Sequence, residues 1–286
     1  MDDPLGILFV FLVLLPLGLG FLSLYRAVNP YARRRRDSVR EVLTALGWFL
    51  LFGLLVALAL PSVGAAPQAA RRSQCSNNLK QIILAMHCYH DRYGCFPPAY
   101  TVDKAGRPLH GWRVLLLPFL EQRGLCDRIR LDEPYDSAHN RAVFDARRFG
   151  REGPTSMPDV FRCPSDEENR GTTTNYVMIL GPRTISNGPN SVCLTDIADG
   201  PANTIAVVET YGLGIPWYEP RDLRADEMTF RINDPEYFGI ASRHPGGAQV
   251  GLADGSVRFL PETLDPRGVE SLTTINGGED VSAALK

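Results

Sequence analysis

The chain has no C-x-x-C pair and no cysteine–histidine run at zinc-finger spacing. Locally encoded zinc ribbons and thioredoxin-type redox motifs are therefore excluded. It also lacks G-x-S-x-G, the phosphate-binding G-x-x-x-x-G-K-[ST], G-x-G-x-x-G and H-E-x-x-H, so nothing points to a hydrolase elbow, a nucleotide cradle or a metalloprotease helix, and no enzyme is expected. No charge of one sign dominates. Thirty basic residues face 32 acidic ones for a net charge of -2, which does not read as a nucleic-acid binder. There is no internal repeat and no low-complexity tract. Two stretches, residues 5–25 and 43–66, lack charged side chains altogether.

Those two stretches organise the chain. Residues 5–25 are dense in Leu, Phe, Val and Ile and match the ~20 apolar residues a bilayer core needs; Pro16 and three glycines are tolerable in a membrane helix. A signal peptide is the competing reading, but the chain begins Met1-Asp2-Asp3 instead of with basic residues, and Ser23-Leu24-Tyr25-Arg26 is a poor cleavage site. Residues 43–66 form a second span, with Trp48 near its start as an interfacial anchor and Pro61 near its far end. Between them, residues 26–42 carry Arg26, Arg33, Arg34, Arg35, Arg36 and Arg40. The positive-inside rule puts this linker in the cytoplasm and everything after Ala66 outside, against only Arg71 and Arg72. The run also suits anionic lipid headgroups. The expected location is a bacterial inner membrane, crossed twice, with residues 67–286 as a periplasmic or extracytoplasmic domain.

That domain has about 220 residues, enough for one core. Residues 67–93 place Leu79, Ile82, Ile83, Met86, His90 and Tyr93 on one helical stripe. Only Pro61 and Pro67 separate it from the second span, so one long helix and two separate ones both stay open. Gly94 followed by Phe96-Pro97-Pro98 ends it. Residues 112–120 read as a short apolar stretch that 121–129 could extend as a helix, 132–158 as a polar surface excursion, and 172–180 and 203–210 as strands. Residues 248–260 read as a hairpin around Asp254-Gly255. A helix followed by scattered strands is an α+β pattern with a mostly antiparallel sheet. Six cysteines (Cys75, Cys88, Cys95, Cys126, Cys163 and Cys193) allow fifteen full pairings, and buried free thiols are equally open.

Several motifs occur together: ARRSQCSNNLKQI (70–82), HDRYGCFPPAY (90–100), GWRVLLLPFLEQ (111–122), FRCPSD (161–166), TNYV (174–177), DGPANTIAVVE (199–209) and RHPGGAQVGLADGSVRFL (243–260), the last with His244 nine residues before Asp254-Gly255. The chain resembles, from about Leu50 onward, the domain-of-unknown-function 1559 family, the H-X9-DG proteins with prepilin-like N-termini. The resemblance implies a pseudopilin-like architecture, a long N-terminal helix on an antiparallel sheet, here preceded by an extra transmembrane helix. It implies no activity. Prepilins of this type carry a Gly-Phe cleavage point and a Glu five residues on; here those positions fall on Val39-Arg40 and Thr44, so neither processing nor assembly through that Glu is expected.

The candidate site residues are His244, Asp254, Gly255, Asp199, Gly200, Asn203, Glu209 and Cys163. His244 as a base or ligand needs a carboxylate, with Glu209 and Asp254 as the available ones; an imidazole satisfying backbone groups in a turn is the structural reading. Asp254-Gly255 and Asp199-Gly200 suit turns. Asp196, Asp199 and Asn203 could offer three oxygens to calcium, although no dense D-x-D-x-D run exists. Glu209 ends an apolar run and by alternation shares a face with Ile205 and Val207, which requires a partner, Arg243 or His244. His87 and His90, three apart, read as aromatic edges. The leading expectation is a structural or interaction protein whose partners are membrane lipid, like domains or secretion-apparatus components. A membrane-tethered calcium- or polysaccharide-binding module is one alternative, and an enzyme using His244, Glu209 and Asp254 is another.

Overall fold

The structure, a computed structural model, describes residues 4–28, 37–145, 157–169 and 171–279. The chain forms two compact units, Met1–Ala69 and Ala70–Lys286. In the first, helix α1 (Pro4–Val28) and the opening part of helix α2 (Asp37–Tyr93) contain the two uncharged stretches. Phe21 meets Phe49 edge to face at 5.4 Å, and Gly20 lies against the Phe49 ring, where a Cβ would stand 3.2 Å away. Among the described residues one window, Val39–Val56, is long and apolar enough to cross a membrane, and only 6% of it is buried. Among the residues whose side chains are described, α1 also holds a shorter apolar stretch, Leu14–Arg26. Arg33, Arg34, Arg35 and Arg36 lie outside the described residues, as do the side chains of Pro61 and Pro67, whose backbone is helical. The helix starts at Asp37, inside the stretch expected to be linker, and α2 has no break between its apolar and its amphipathic part.

The second unit is α+β. Strands β1 (Tyr100–Val102) and β2 (Pro108–Gly111) form a hairpin. Helices α3 (Trp112–Leu115), α4 (Arg123–Cys126) and α5 (Ala138–Phe144) follow. Next come β3 (Tyr176–Val177), β4 (Ile179–Leu180), β5 (Ile205–Glu209), β6 (Leu223–Arg224), β7 (Gly247–Leu252) and β8 (Val257–Pro261), then α6 (Pro266–Ser271). The main sheet is antiparallel, in the order β3-β5-β7-β8; β4 and β6 pair in parallel. The hairpin expected around Asp254-Gly255 is β7–β8, with Val250 opposite Arg258 and Gly251 opposite Val257.

Both faces of the sheet are buried. On one, Leu79, Ile82, Ile83 and Met86 of α2 are fully buried with Tyr176, Met178 and Val207. Gly251 makes this packing close: a Cβ there would meet Ile83 Cγ1 at 2.8 Å. On the other, Val177, Ile205, Val208, Val250, Leu252 and Leu260 pack with Val269 of α6 and with Leu272 just after it. A register shift between Ile205 and Val207 moves Ile205 to the α6 face while Val207 stays on the α2 face. The strict alternation expected to place Ile205 with Glu209 fails because a bulge adds one residue of phase.

Three other expectations are corrected. Residues 112–129 are not one helix: Pro118 sits in a 3-10 turn (Leu117–Phe119) and Glu121 adopts φ 58°, which separates α3 from α4. Residues 172–180 are not one strand. The Met178 amide donates to the Asp222 carboxylate at 2.9 Å, so the backbone leaves the main sheet there, and β3 and β4 belong to different sheets. Residues 132–158 are not merely a polar excursion. Ser137 caps α5 through the Asn140 amide, and Phe144 is fully buried, stacked on Tyr218 at 4.3 Å and edge to face with Trp217; residues 146–156 lie outside the described ones.

Candidate functional site

Two disulfides tie distant segments of the second unit: Cys75–Cys163 joins α2 to the loop before β3, and Cys95–Cys193 joins the end of α2 to residue 193. Their sequence separations of 88 and 98 correspond to about 4–5 kcal/mol each in the chain-entropy picture. Cys88 is free and exposed, and Cys126 is free and half-buried.

The first disulfide lies beside His244. That residue leaves the turn ahead of β7 and is 4% exposed. Its amide donates to Ser242 Oγ at 3.0 Å, which fixes the backbone. Nδ1 stands 3.4 Å from Ser165 Oγ, while Nε2 stands 3.6 Å from Cys163 Sγ and 3.5 Å from Glu209 Oε1. Glu209 is 1% exposed and faces Tyr176 across β3–β5. Its Oε2 accepts the Gln249 amide at 2.9 Å; its Oε1 makes no hydrogen bond among the described residues and is turned to the imidazole. Of the two expected partners for Glu209, His244 is the one in place; Arg243 reaches Glu168 at 2.5 Å and stacks over Tyr211. Burial and then the charge of Glu209 push the Tyr176 phenol well up. Cys75, Cys163, Glu209 and His244 thus bring two sulfurs, a carboxylate oxygen and an imidazole nitrogen within 4.8 Å of one another.

Asn175, the second residue of TNYV, holds this centre from behind. Its Oδ1 accepts the Cys163 amide at 2.9 Å and its Nδ2 donates to Asp166 at 2.8 Å. A surface cleft lined by Gln74, Arg162, Cys163, Pro164 and Asp166 reaches one edge of the centre.

Asp254 is elsewhere. His244 precedes β7 and Asp254 follows it, and six strand residues span about 20 Å. Asp254 Oδ1 accepts the Ser256 amide at 2.8 Å and its hydroxyl at 2.7 Å, while Gly255 adopts φ 95°. The triad His244–Glu209–Asp254 is therefore not assembled. The other acidic turn also serves the backbone. Asp199 accepts the amides of Gly277 and Gly278 at 2.7 and 2.8 Å and anchors the C-terminal segment; Asp196 accepts the Cys193 amide at 2.8 Å. Gly200 turns at φ 89°, and the Asn203 amide nitrogen donates to the Asp199 carbonyl at 2.9 Å. His87 and His90 both stand edge-on or tilted against Phe96, at 5.4 and 5.3 Å.

A second buried polar centre went unread in the sequence. Arg113 and Asp222 are fully enclosed and paired at 2.8 Å. Asp222 also accepts Trp112 Nε1 at 3.1 Å and the Met178 amide, and Arg113 donates to the carbonyls of Tyr176 and Arg221. Burial raises the Asp222 carboxyl to about 6, outweighing the opposing pull of Arg113 and its hydrogen bonds. Gly111 lets this segment approach, since a Cβ would meet the Glu219 carbonyl at 3.2 Å. The motif G-W-R was visible, but nothing in the sequence marks Asp222 as its partner 109 positions away.

The sequence model of one family, described as protein of unknown function (DUF1559), matches residues 64–215 and 213–267. No curated protein and no solved structure matches the chain.

Proposed function

The chain belongs to the DUF1559 family of proteins of unknown function, and from that premise we propose that it is a membrane-anchored envelope protein with a pseudopilin-like extracytoplasmic domain. Its role is structural or interactive, in the envelope or a secretion-type assembly, and not catalytic. The observation that carries this reading is α2 itself. One helix joins an apolar, 6% buried window at Val39–Val56 to a stripe whose Leu79, Ile82, Ile83 and Met86 are fully buried against an antiparallel sheet. An apolar surface with so little protein cover over 18 residues is stable in lipid and costly in water. The acidic motif residues Asp196, Asp199 and Asp254 hold backbone amides, as expected of a scaffold.

The exposed free thiol of Cys88 tests the placement. In intact spheroplasts a membrane-impermeant maleimide is expected to label Cys88, and a Cys88→Ser chain is expected to lose that label. Labelling that needs lysis would put the domain in the cytoplasm and end the pseudopilin-like envelope reading.

A further inference from the structure

We propose that Cys75, Cys163, Glu209 and His244 form a zinc-class metal site that is available when the Cys75–Cys163 bond is reduced. The four ligand atoms come from α2, the loop before β3, the end of β5 and the turn ahead of β7, and all lie within 4.8 Å of one another. In a tetrahedral zinc centre, with bonds of about 2.0–2.3 Å, neighbouring ligand atoms stand about 3.3–3.8 Å apart. The separations from His244 Nε2 to Cys163 Sγ, 3.6 Å, and to Glu209 Oε1, 3.5 Å, already have that length. All four residues are at most 4% exposed.

The surroundings orient the donors as a metal site requires. Ser165 Oγ beside Nδ1 of His244 leaves Nε2 facing the sulfur and the carboxylate. The Gln249 amide holds Oε2 of Glu209 and leaves Oε1, buried and without a hydrogen bond among the described residues, aimed at the same point. Asn175 fixes the Cys163 backbone. Such outer partners set ligand direction and affinity. Two thiolates, an imidazole and one carboxylate are a borderline-soft set, suited to zinc and not to calcium or magnesium. The cleft that reaches Cys163 offers an access route.

The chemistry balances with a dithiol reductant of the thioredoxin class. The reductant becomes its own disulfide, and its two electrons and two protons convert Cys75–Cys163 into two thiols. A zinc ion then forms two Zn–S bonds and displaces both thiol protons, while Nε2 and Oε1 complete the tetrahedron. A disulfide-class oxidant takes the two electrons of the thiolates and two protons from water, becomes its own dithiol, re-forms Cys75–Cys163 and releases the ion, so α2 and the loop before β3 are tied either by a covalent bond or, together with β5 and the turn ahead of β7, by a metal.

The full chain in detergent, treated with a phosphine reductant and titrated with Co2+ and then Zn2+, decides the matter. The expected result is uptake of one Co2+ with thiolate charge-transfer and tetrahedral ligand-field bands, bleached by Zn2+, and no uptake before reduction. Ser165→Ala should weaken affinity about 10–100-fold, and Glu209→Gln at least as much. The double variant Cys95→Ser, Cys193→Ser should keep the bands. A reduced wild-type chain without such bands, or bands that survive Cys163→Ser, would overturn the proposal. Because the wild-type titration comes first, a variant that fails to fold does not shield it.

Discussion

The two parts of α2 obey opposite rules with similar residues. In the first, Leu43, Leu46, Leu50 and Leu54 are 53–74% exposed; in the second, Leu79, Ile82 and Ile83 are fully buried. The difference lies in what surrounds them. A helix that is apolar around its whole circumference has no face to give a sheet and no face to give water, so its medium is lipid. A helix with a single stripe, polar elsewhere, docks. Apolar content alone therefore says little; its distribution around the axis decides the solvent. A second contrast lies inside the sheet-bearing unit. Its hydrophobic faces are ordinary packing, whereas its two polar centres, the enclosed Arg113–Asp222 pair and the buried His244 cluster, depend on every partner being present.

Breaking the polar centre should have the largest effect. Arg113→Met leaves Asp222 buried without its cation and is expected to cost about 3–5 kcal/mol, read by urea unfolding of the detergent-solubilised chain through tryptophan fluorescence. An unchanged midpoint would mean that the pair contributes nothing. Next, Leu79→Ala should cost about 2–5 kcal/mol by leaving a cavity over Gly251, while Leu50→Ala should shift the same unfolding by less than about 0.5 kcal/mol. Equal effects would erase the distinction between the two parts of the helix. His244→Ala should cost about 1–3 kcal/mol, because it strips the buried Glu209 of its facing group; a melting profile identical to wild type would remove His244 from the scaffold.

The smallest effect is a slope in pH. Burial depresses the His110 imidazole below its usual range, more than its backbone contacts raise it. Its folded pKa lies below the unfolded one, so its contribution is complete above about 6.5 and is lost as pH falls through the folded value. The Asp222 shift has the opposite sign: its contribution is lost as pH rises toward about 6. His110→Gln should therefore flatten the acid side of a plot of melting temperature against pH without changing it above neutrality. A variant curve parallel to wild type would show that His110 does not titrate with folding.

Much of the scaffold could be read beforehand, and the failures have specific causes. The stripe Leu79–Ile82–Ile83–Met86 and the Asp254-Gly255 hairpin are local signals, with a period of 3.6 and a turn whose glycine must adopt positive φ. The strand over 172–180 was misread because Asp222, remote in sequence, takes the Met178 amide that a continuing ladder would have used. The face of Ile205 was misread because a bulge has no sequence mark of its own. His244 and Glu209 were both suspected, and their pairing was offered as one of two options. The presence of both sulfurs beside that pair could not be chosen from spacing.

The sequence by itself determined which segments are apolar all round and which carry a single stripe or a tight turn, since hydrophobic periodicity, charge-free runs and turn chemistry all act over neighbouring residues. It also determined that six cysteines were available to be paired. Only the tertiary structure decided which groups meet. Cys75 with Cys163, Glu209 with His244 and Arg113 with Asp222 are separated by 88, 35 and 109 positions. A pair so far apart along the chain is selected by how the helix and the strands pack, which places desolvated polar groups where only their partners can satisfy them.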